Sequence, residues 1–321
     1  MSRQPVIPIF FTTDERYAPY LSVAIISLIE HSSPQNHYEI NIVYHRLRYR
    51  TRRKIARLAR QHKHIRVIFS PMQKNIEGIS DRKETRLKAD HFTPTIYYRL
   101  FLPEIFRHYD RAIYLDCDTL ILTDVANLYQ IKLDKHPIAA CPDTSTQGNK
   151  LFARYFKDAI GVDPQKYFNS GVLLMDFQKL RAEEFCEHFL YLLNAYDFDT
   201  VAPDQDYLNA MLKNRVKYLP ITWNTMPSAP HAEKTPNIIH YNLFFKPWHY
   251  DNTPYGEYFW QYAAKSPFIR QIQREKRNFS KKNAKTDDQR LALMSTRVQE
   301  ILDSKRSFKK IADRNKKGDA K

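Results

Sequence analysis

Two rhythms of apolar residues run along this chain. Short apolar runs, bounded by polar or turn-forming residues, alternate with stretches in which apolar residues return every three or four positions. Residues 6–11 form the first run, closed by Thr12-Thr13-Asp14, and predict a buried strand that leads into a polar loop; Pro8 weakens that reading, because proline donates nothing to a ladder. Over residues 19–31, Leu21, Ala24, Ile25, Leu28 and Ile29 share one stripe of a helix, and Pro34 lies beyond its end. The same reading predicts strands at 38–44 and 65–69 around a basic helix at 51–61. A polar, charged stretch at 73–91 follows, then a helix at 94–106 and a strand at 112–115 that runs straight into Asp116-Cys117-Asp118. Strands at 137–141, 170–175, 216–219 and 237–241 then alternate with one long helix at 177–196 and a shorter one at 203–213, opened by Pro203. Strands alternating with helices imply an α/β fold with a parallel sheet covered on both faces. From about residue 265 the apolar content falls. Ile269, Ile272, Leu291, Leu293, Val298, Ile301 and Leu302 can stripe amphipathic helices there, so 1–264 is expected as the folded body and 265–321 as a basic helical or partly disordered tail.

Composition sharpens this division. The 321 residues carry a formal charge of +16, and residues 265–321 contribute 18 basic against 7 acidic side chains, compared with 33 and 28 in the first 264. With 43% hydrophobic and 13% aromatic residues the body has material for a large core, which excludes a wholly disordered or collagen-like chain. Six glycines are few, and no Gly-rich dinucleotide or P-loop fingerprint occurs. Cys117, Cys141 and Cys186 have neither CxxC spacing nor an even framework, so a reducing cytosol is expected. No apolar run reaches the roughly 18 residues of a membrane span, and the N-terminus lacks the pattern of a signal peptide.

Asp116 and Asp118 stand two apart on an extended segment, so their carboxylates point the same way, at the strand end where open parallel sheets bind ligands. Such a pair suits a hard divalent ion. An imidazole such as His240 would favour manganese over magnesium, and Lys246, six residues on, can neutralise a phosphate. Asn169-Ser170-Gly171 and Asp204-Gln205-Asp206 offer polar groups for sugar hydroxyls, with Gly171 allowing close approach of a ligand to the backbone. Asp143 follows a predicted strand and is a candidate for the acceptor side.

Taken in order, Phe11 to Tyr17, Tyr97-Tyr98-Arg99, Tyr114 to Asp118, Phe168 to Leu174, Asp204 to Asn209 and His240 to Trp248 resemble glycosyltransferase family 8, in particular its bacterial lipopolysaccharide and lipooligosaccharide galactosyl- and glucosyltransferases. The resemblance spans about residues 6–248. It implies a GT-A fold with a mixed, mostly parallel sheet, and a retaining transfer of a hexose, galactose in preference to glucose, from a UDP-sugar with Mn2+, or Mg2+, as the metal. By that resemblance Asp14, Thr12, Thr13 and Tyr17 would hold the uracil, and Arg16 stands where relatives often have Asn. Arg99, Cys117, Asn169, Ser170 and Gly171 would contact the donor, as would Asp204 and Gln205, and Gln205, Asp204 and Asp206 are the catalytic candidates. Asp116, Asp118 and His240 would hold the metal, and Lys246 a phosphate oxygen. Leu243 stands where relatives usually have Gly, and because Leu takes a left-handed conformation only with strain, the phosphate loop is expected to follow a different path. The basic tail, with Lys276, Arg277, Phe279, Lys281 and Lys282, suits an anionic membrane surface, which would make the enzyme cytoplasmic and peripheral at the inner face of the cell membrane. The competing classes are a non-catalytic sugar-nucleotide module and a nucleic-acid-binding protein; the body shows no recognition motif for nucleic acid.

Overall fold

A computed structural model describes residues 6–72, 97–196, 198–227, 233–244, 246–279 and 281–318, with the backbone alone for 281–284, 286 and 315–318. The expected polar stretch at 73–91 and the start of the helix at 94 lie outside the described residues.

The elements run β1 (Val6–Asp14), α1 (Ala18–Glu30), β2 (His37–His45), α2 (Tyr49–Leu58), β3 (Ile65–Pro71), α3 (Tyr98–Ile105), β4 (Arg111–Leu115), β5 (Thr119–Ile121), α4 (Ala126–Tyr129) and β6 (Ile138–Pro142). Next come α5 (Lys150–Arg154), a π-helical turn at Tyr155–Ile160, β7 (Phe168–Asp176), α6 (Phe177–Ala182), α7 (Phe185–Tyr196), α8 (Pro203–Met211) and β8 (Val216–Tyr218). A 3-10 turn at Ile221–Asn224, β9 (Ile238–His240), α9 (Gly256–Ala263), α10 (Ile269–Asn278), α11 (Lys281–Asp303) and α12 (Phe308–Gly318) complete the described chain.

Seven strands form one sheet in the order β3-β2-β1-β4-β7-β6-β8. β3, β2, β1 and β4 are mutually parallel, β7 runs antiparallel to both β4 and β6, and β8 is parallel to β6. Apolar residues of one strand alternate between two cores, one on each face: Ile9 and Phe11 enter one and Phe10 the other, and Ile113 and Leu115 oppose Ala112 and Tyr114 in the same way. β5 and β9 make a separate antiparallel pair, in which Thr119 faces His240.

Three expectations change. β1 continues through Thr12-Thr13-Asp14, because its pairing with β2 runs unbroken to Asp14 opposite His45. The single helix at 177–196 is two, separated at Glu183 and Glu184, where Glu184 has φ 50°. Leu180 and Phe185 are both buried in one core but are five positions apart, which is out of phase with a 3.6-residue turn, and the break restores the phase. Finally, the change of composition near residue 265 is not a change of packing. Val298, Ile301, Leu302 and Phe308 belong to the same buried cluster as Phe10 and Leu173, and Phe308 lies 4.0 Å from Phe198 and 4.9 Å from Tyr207 between ring centres. Ile272 joins Trp248 and Tyr262 in a third cluster, whereas Leu291 and Leu293 are exposed.

Candidate functional site

The sheet brings three strand ends to one rim. Parallel β1 and β4 end there at Asp14 and Leu115, and antiparallel β7 begins there with Phe168-Asn169-Ser170-Gly171. The Asp116 N–H donates to Gly171 O at 2.8 Å, carrying the β4–β7 ladder into the acidic motif. Pairing of β5 with β9 then swings His240 back over the two carboxylates, helped by the Tyr241 N–H donating to Asp118 O at 2.9 Å. As a result one ligand atom from each of Asp116, Asp118 and His240 lies within 4.8 Å of the others. His240 Nε2 is 3.3 Å from Asp118 Oδ1 and 3.7 Å from Asp116 Oδ2. Two oxygens and one imidazole nitrogen fit a divalent ion of intermediate hardness.

A run of side-chain amides settles which imidazole nitrogen faces the carboxylates. The Gly171 N–H donates to Asn169 Oδ1 at 2.9 Å, so that atom is an acceptor, and Asn224 Nδ2 donates to the same oxygen at 2.9 Å. Asn224 therefore turns its Oδ1 to His240 Nδ1 at 3.0 Å and accepts that nitrogen's proton. That leaves Nε2 as the ring nitrogen that faces Asp116 and Asp118, the atom that could ligate a metal ion. Asn224, at the end of the 3-10 turn, is 1% exposed. Gly171 serves this arrangement rather than ligand approach alone. A Cβ there would stand 2.2 Å from His240 Cε1 and 2.8 Å from Asp116 Oδ2, so only hydrogen leaves room for the triad.

Cations surround the carboxylates. Lys246 Nζ is 2.5 Å from Asp118 Oδ2 and also donates to Tyr241 O. Burial alone would raise the Asp118 carboxyl, but the Lys246 ammonium and His240 hold it well below the usual carboxylate range. Burial works against the Lys246 charge too, and Asp118 overcomes it, so that lysine is raised. Arg99 enters from α3, lies 4.5 Å over the Tyr114 ring, and joins Asp116 to Asp204 through contacts of 2.9 Å each. Its Nη1 donates to Ser170 O at 2.7 Å.

Beside the triad opens a cavity of about 310 Å3. Its polar wall holds Asp116, Asp118, His240, Lys246, Asn169, Ser170, Gln205 and Asp143, and its apolar wall Phe152, Phe156, Val201 and Met294. Gln205 is oriented by accepting from the Ser170 N–H at 3.0 Å and donating through Nε2 to Asp143 Oδ2 at 2.9 Å. Asp143 Oδ2 also accepts from Asn169 Nδ2 at 3.2 Å, while its Oδ1 accepts from the Ser145 N–H and hydroxyl.

Asp204 and Asp206 do not share Gln205's position. Asp204 faces Arg99 and Ser170 Oγ, at 2.9 and 3.0 Å, and burial raises its carboxyl although Arg99 opposes this. Asp206 is fully buried, and Tyr155 OH, Tyr167 OH and the N–H groups of Val201 and Ala202 all donate to its carboxylate, at 2.7, 2.6, 3.0 and 3.0 Å. Burial pushes its pKa up to about 6. Its expected catalytic role is thereby corrected: no oxygen of Asp206 reaches the cavity, and the carboxylate instead ties the cavity wall to α8.

Tyr17 also lines the cavity, near Lys246, and is one-third exposed, and its N–H donates to Asp14 Oδ1 at 2.9 Å. Arg16 is exposed. Thr12 Oγ1 is 2.9 Å from Tyr114 OH, and Thr13 is buried. The Cys117 side chain faces the core and donates to Thr12 O at 3.1 Å, and burial raises its thiol far above the ordinary value, so only its backbone is available to a ligand. Leu243 adopts the left-handed conformation after all, with φ 53°, at a cost of about 1–2 kcal/mol. All three cysteines are free and buried.

Asn224, Tyr155, Tyr167 and Met294 were not legible as site residues. Asn224 sits in no motif, and Met294 belongs to the segment that composition sets apart.

The family model of glycosyl transferase family 8 matches residues 8–252. General stress protein A of Bacillus subtilis is 25% identical, covering 82% of this chain and 95% of that protein. A lipopolysaccharide 1,2-glucosyltransferase of Escherichia coli K12 is 27% identical over 61% of this chain and 59% of its own length. Among solved structures, the bifunctional glycosyltransferase WbbM superposes with a TM-score of 0.76 at 22% identity, covering 87% of this chain and 53% of that one. Galactosyltransferase LgtC, in complex with donor and acceptor sugar analogues, gives 0.64 at 25% identity, over 81% and 96%.

Proposed function

The chain belongs to glycosyl transferase family 8, and we propose that it transfers a hexose, galactose in preference to glucose, from a UDP-sugar to a saccharide or glycolipid acceptor with retention at the anomeric carbon. The setting we propose is lipopolysaccharide, lipooligosaccharide or related surface-glycan synthesis, at the cytoplasmic face of the cell membrane. The observation that carries this reading is the convergence of Asp116, Asp118 and His240 with Lys246 at one end of a cavity. The similarity to LgtC and to the Escherichia coli glucosyltransferase supports the reaction class.

Asp116, Asp118 and His240 would hold Mn2+, or Mg2+, which when bound supplies positive charge to the diphosphate. Lys246 lies 2.5 Å from Asp118, where it balances the carboxylate. With donor present it would turn to a phosphate oxygen, a fixed cation for the charge that grows on departing UDP. Thr12, Thr13, Asp14, Arg16 and Tyr17 would take the nucleoside, with the Cys117 backbone beside it. Arg99, Asn169, Ser170, Gly171 and Asp204 would set the sugar, some directly and some through each other. Gln205 faces the cavity with its amide held at both ends, suited to an anomeric carbon that becomes positive.

Retention follows from a front-face displacement. The bond from the anomeric carbon to the UDP oxygen breaks as the acceptor hydroxyl bonds to the same face, and the hydroxyl proton passes to the leaving phosphate. Asp206 is sealed from the cavity and Asp204 is committed to Arg99, so neither is poised for covalent attack. Asp143, beside Gln205 and the apolar wall, would receive the acceptor.

A panel of UDP-sugars with Mn2+, scored for UDP release with and without acceptor on wild type and Asp118→Ala, tests the reading. We expect UDP-galactose to be used best and Asp118→Ala to lose about 100-fold or more, as befits a group that stabilises transition-state charge. Equal rates in the two proteins would sink the metal site. A covalent hexosyl adduct on Asp204, trapped with a slow donor, would sink the front-face route.

No helix among the described residues is long and apolar enough to cross a membrane. Contact with an anionic bilayer through residues 265–321 is part of the proposal, supported by their net charge and by exposed Leu291 and Leu293. Phe279 contributes less than its sequence position suggests, because its ring stacks on His249 at 4.2 Å, and Lys276 pairs with Asp251 at 2.8 Å.

A further inference from the structure

A second basic surface lies in the body itself. Between Arg46 and Arg66 the sequence has ten Lys and Arg and no Asp or Glu, a density hidden by the nearly balanced charge of the first 264 residues. The fold gathers half of them. On α2 and the turn that ends it, Thr51, Ile55 and Ala59 face inward, and Arg53, Arg57 and Arg60, at spacings of four and three, are exposed. Lys63 and Arg66, leading into and on edge strand β3, join them around an open depression of about 480 Å3 with no carboxylate in its lining. Among the described residues the only ion pair made by any of the ten is Arg66 with Glu39, and that arginine side chain is 74% exposed. Like charges four apart oppose helix formation.

We propose that α2 and the β3 edge are a docking surface for the anionic phospholipid headgroups of a bilayer. Three features favour lipid over nucleic acid. Tyr49, 65% exposed, stands at the head of α2 with the Arg52 and Arg53 guanidinium carbons 5.9 and 5.8 Å from its ring centre, an amphipathic ring among cations as at a membrane interface. The depression is lined by arginines and Lys63 with the apolar side chains of Ala56, Ala59, Ile65 and Val67, and holds no Phe, Tyr or Trp face on which bases would stack, His62 being its single ring. Lys54 Nζ lies 4.8 Å from the centre of the Phe268 ring, where the basic C-terminal helices begin, so the two cationic segments adjoin.

The surface is tied to the active rim. The Arg48 N–H and Thr51 Oγ1 donate to Glu15 at 2.9 and 2.7 Å, fixing the first turn of α2 beside Asp14 and Tyr17. A bilayer against α2 would therefore lie next to the donor end of the cavity, within reach of a lipid-anchored acceptor. The inference shares with the proposed function only the idea of work at a bilayer, and adds a contact outside residues 265–321.

Flotation of the full chain with vesicles of phosphatidylglycerol and phosphatidylcholine, against phosphatidylcholine alone and against a 30-nucleotide RNA, tests it. Three proteins are compared: wild type, R53Q/R57Q/R60Q/K63Q, and R274Q/K276Q/R277Q. At about fivefold per cation, the first variant should lose roughly 100-fold or more in partitioning to anionic vesicles, while its UDP release in solution stays at the wild-type rate. Wild-type residues 49–66 should gain hydrogen-exchange protection on anionic vesicles, a measurement independent of any variant. The proposal is overturned if R53Q/R57Q/R60Q/K63Q floats like wild type, if only the C-terminal variant loses binding, or if RNA is bound as tightly as the vesicles. UDP release by wild type with no flotation would overturn this inference and leave the transferase reading standing.

Discussion

At the scale of single residues, the site depends on groups that bind no substrate. Asn224 holds the His240 tautomer, and its own orientation is set by Asn169 and a backbone N–H. Partners of this kind typically change metal affinity 10–100-fold. We therefore expect Asn224→Leu, close to the same volume, to weaken Mn2+ binding by about that factor in an electron paramagnetic resonance titration without nucleotide. Asn224→Asp, which keeps an acceptor for Nδ1, should restore most of it; equal affinity for the Leu variant would remove Asn224 from the site. Gly171→Ala is expected to be harsher. Its methyl would stand 2.2 Å from His240 Cε1, so the imidazole must leave its place.

At the scale of elements, Asp206 joins α8 to the π-helical turn and the start of β7 through two tyrosines. Its carboxyl titrates near 6 in the folded protein, against 3.8 for the ordinary group, because it is buried. The folded state therefore holds a proton that the unfolded chain releases, and stability from this group is full below about pH 4 and declines as pH rises toward 6. Asp206→Asn cannot accept from all four donors and should cost about 1–3 kcal/mol in denaturant titrations. It also removes the titration, so the gap from wild type should be widest near pH 4 and shrink as pH rises toward 7. A constant gap would show that Asp206 is ionised throughout. The Asp-Gln-Asp cluster could be seen in the sequence; that it divides into an ion-paired, a cavity-facing and a sealed side chain could not, because neighbours on a helix diverge by about 100° each.

At the scale of the whole molecule, charge and packing divide the chain differently. Composition separates residues 265–321, while Val298, Ile301, Leu302 and Phe308 enter the main core and Met294 reaches the cavity. Phe308→Ala should cost about 3–5 kcal/mol, as for a buried aromatic. Leu293→Ala, at a position 65% exposed, should change stability by less than about 0.5 kcal/mol. Similar small effects for both would mean that the C-terminal helices are an appendage in solution.

What the sequence determined by itself was the α/β order and the acidic rim, because both rest on local patterns. Apolar periodicity reports which face of an element is buried, and Asp116 and Asp118 share a face of one extended segment. His240 and Lys246 were candidates by residue type and position, and the resemblance assigned them to the same site as the acidic pair. Tertiary structure alone decided that β7 runs antiparallel and delivers Gly171 to the rim, that β9 pairs with β5 to close the triad, and that Asn224 orients the imidazole. It alone also turned the basic run at 46–66 into a surface. These are contacts between segments far apart in the chain, and no local rhythm of polar and apolar residues encodes which distant strand end or amide will meet them.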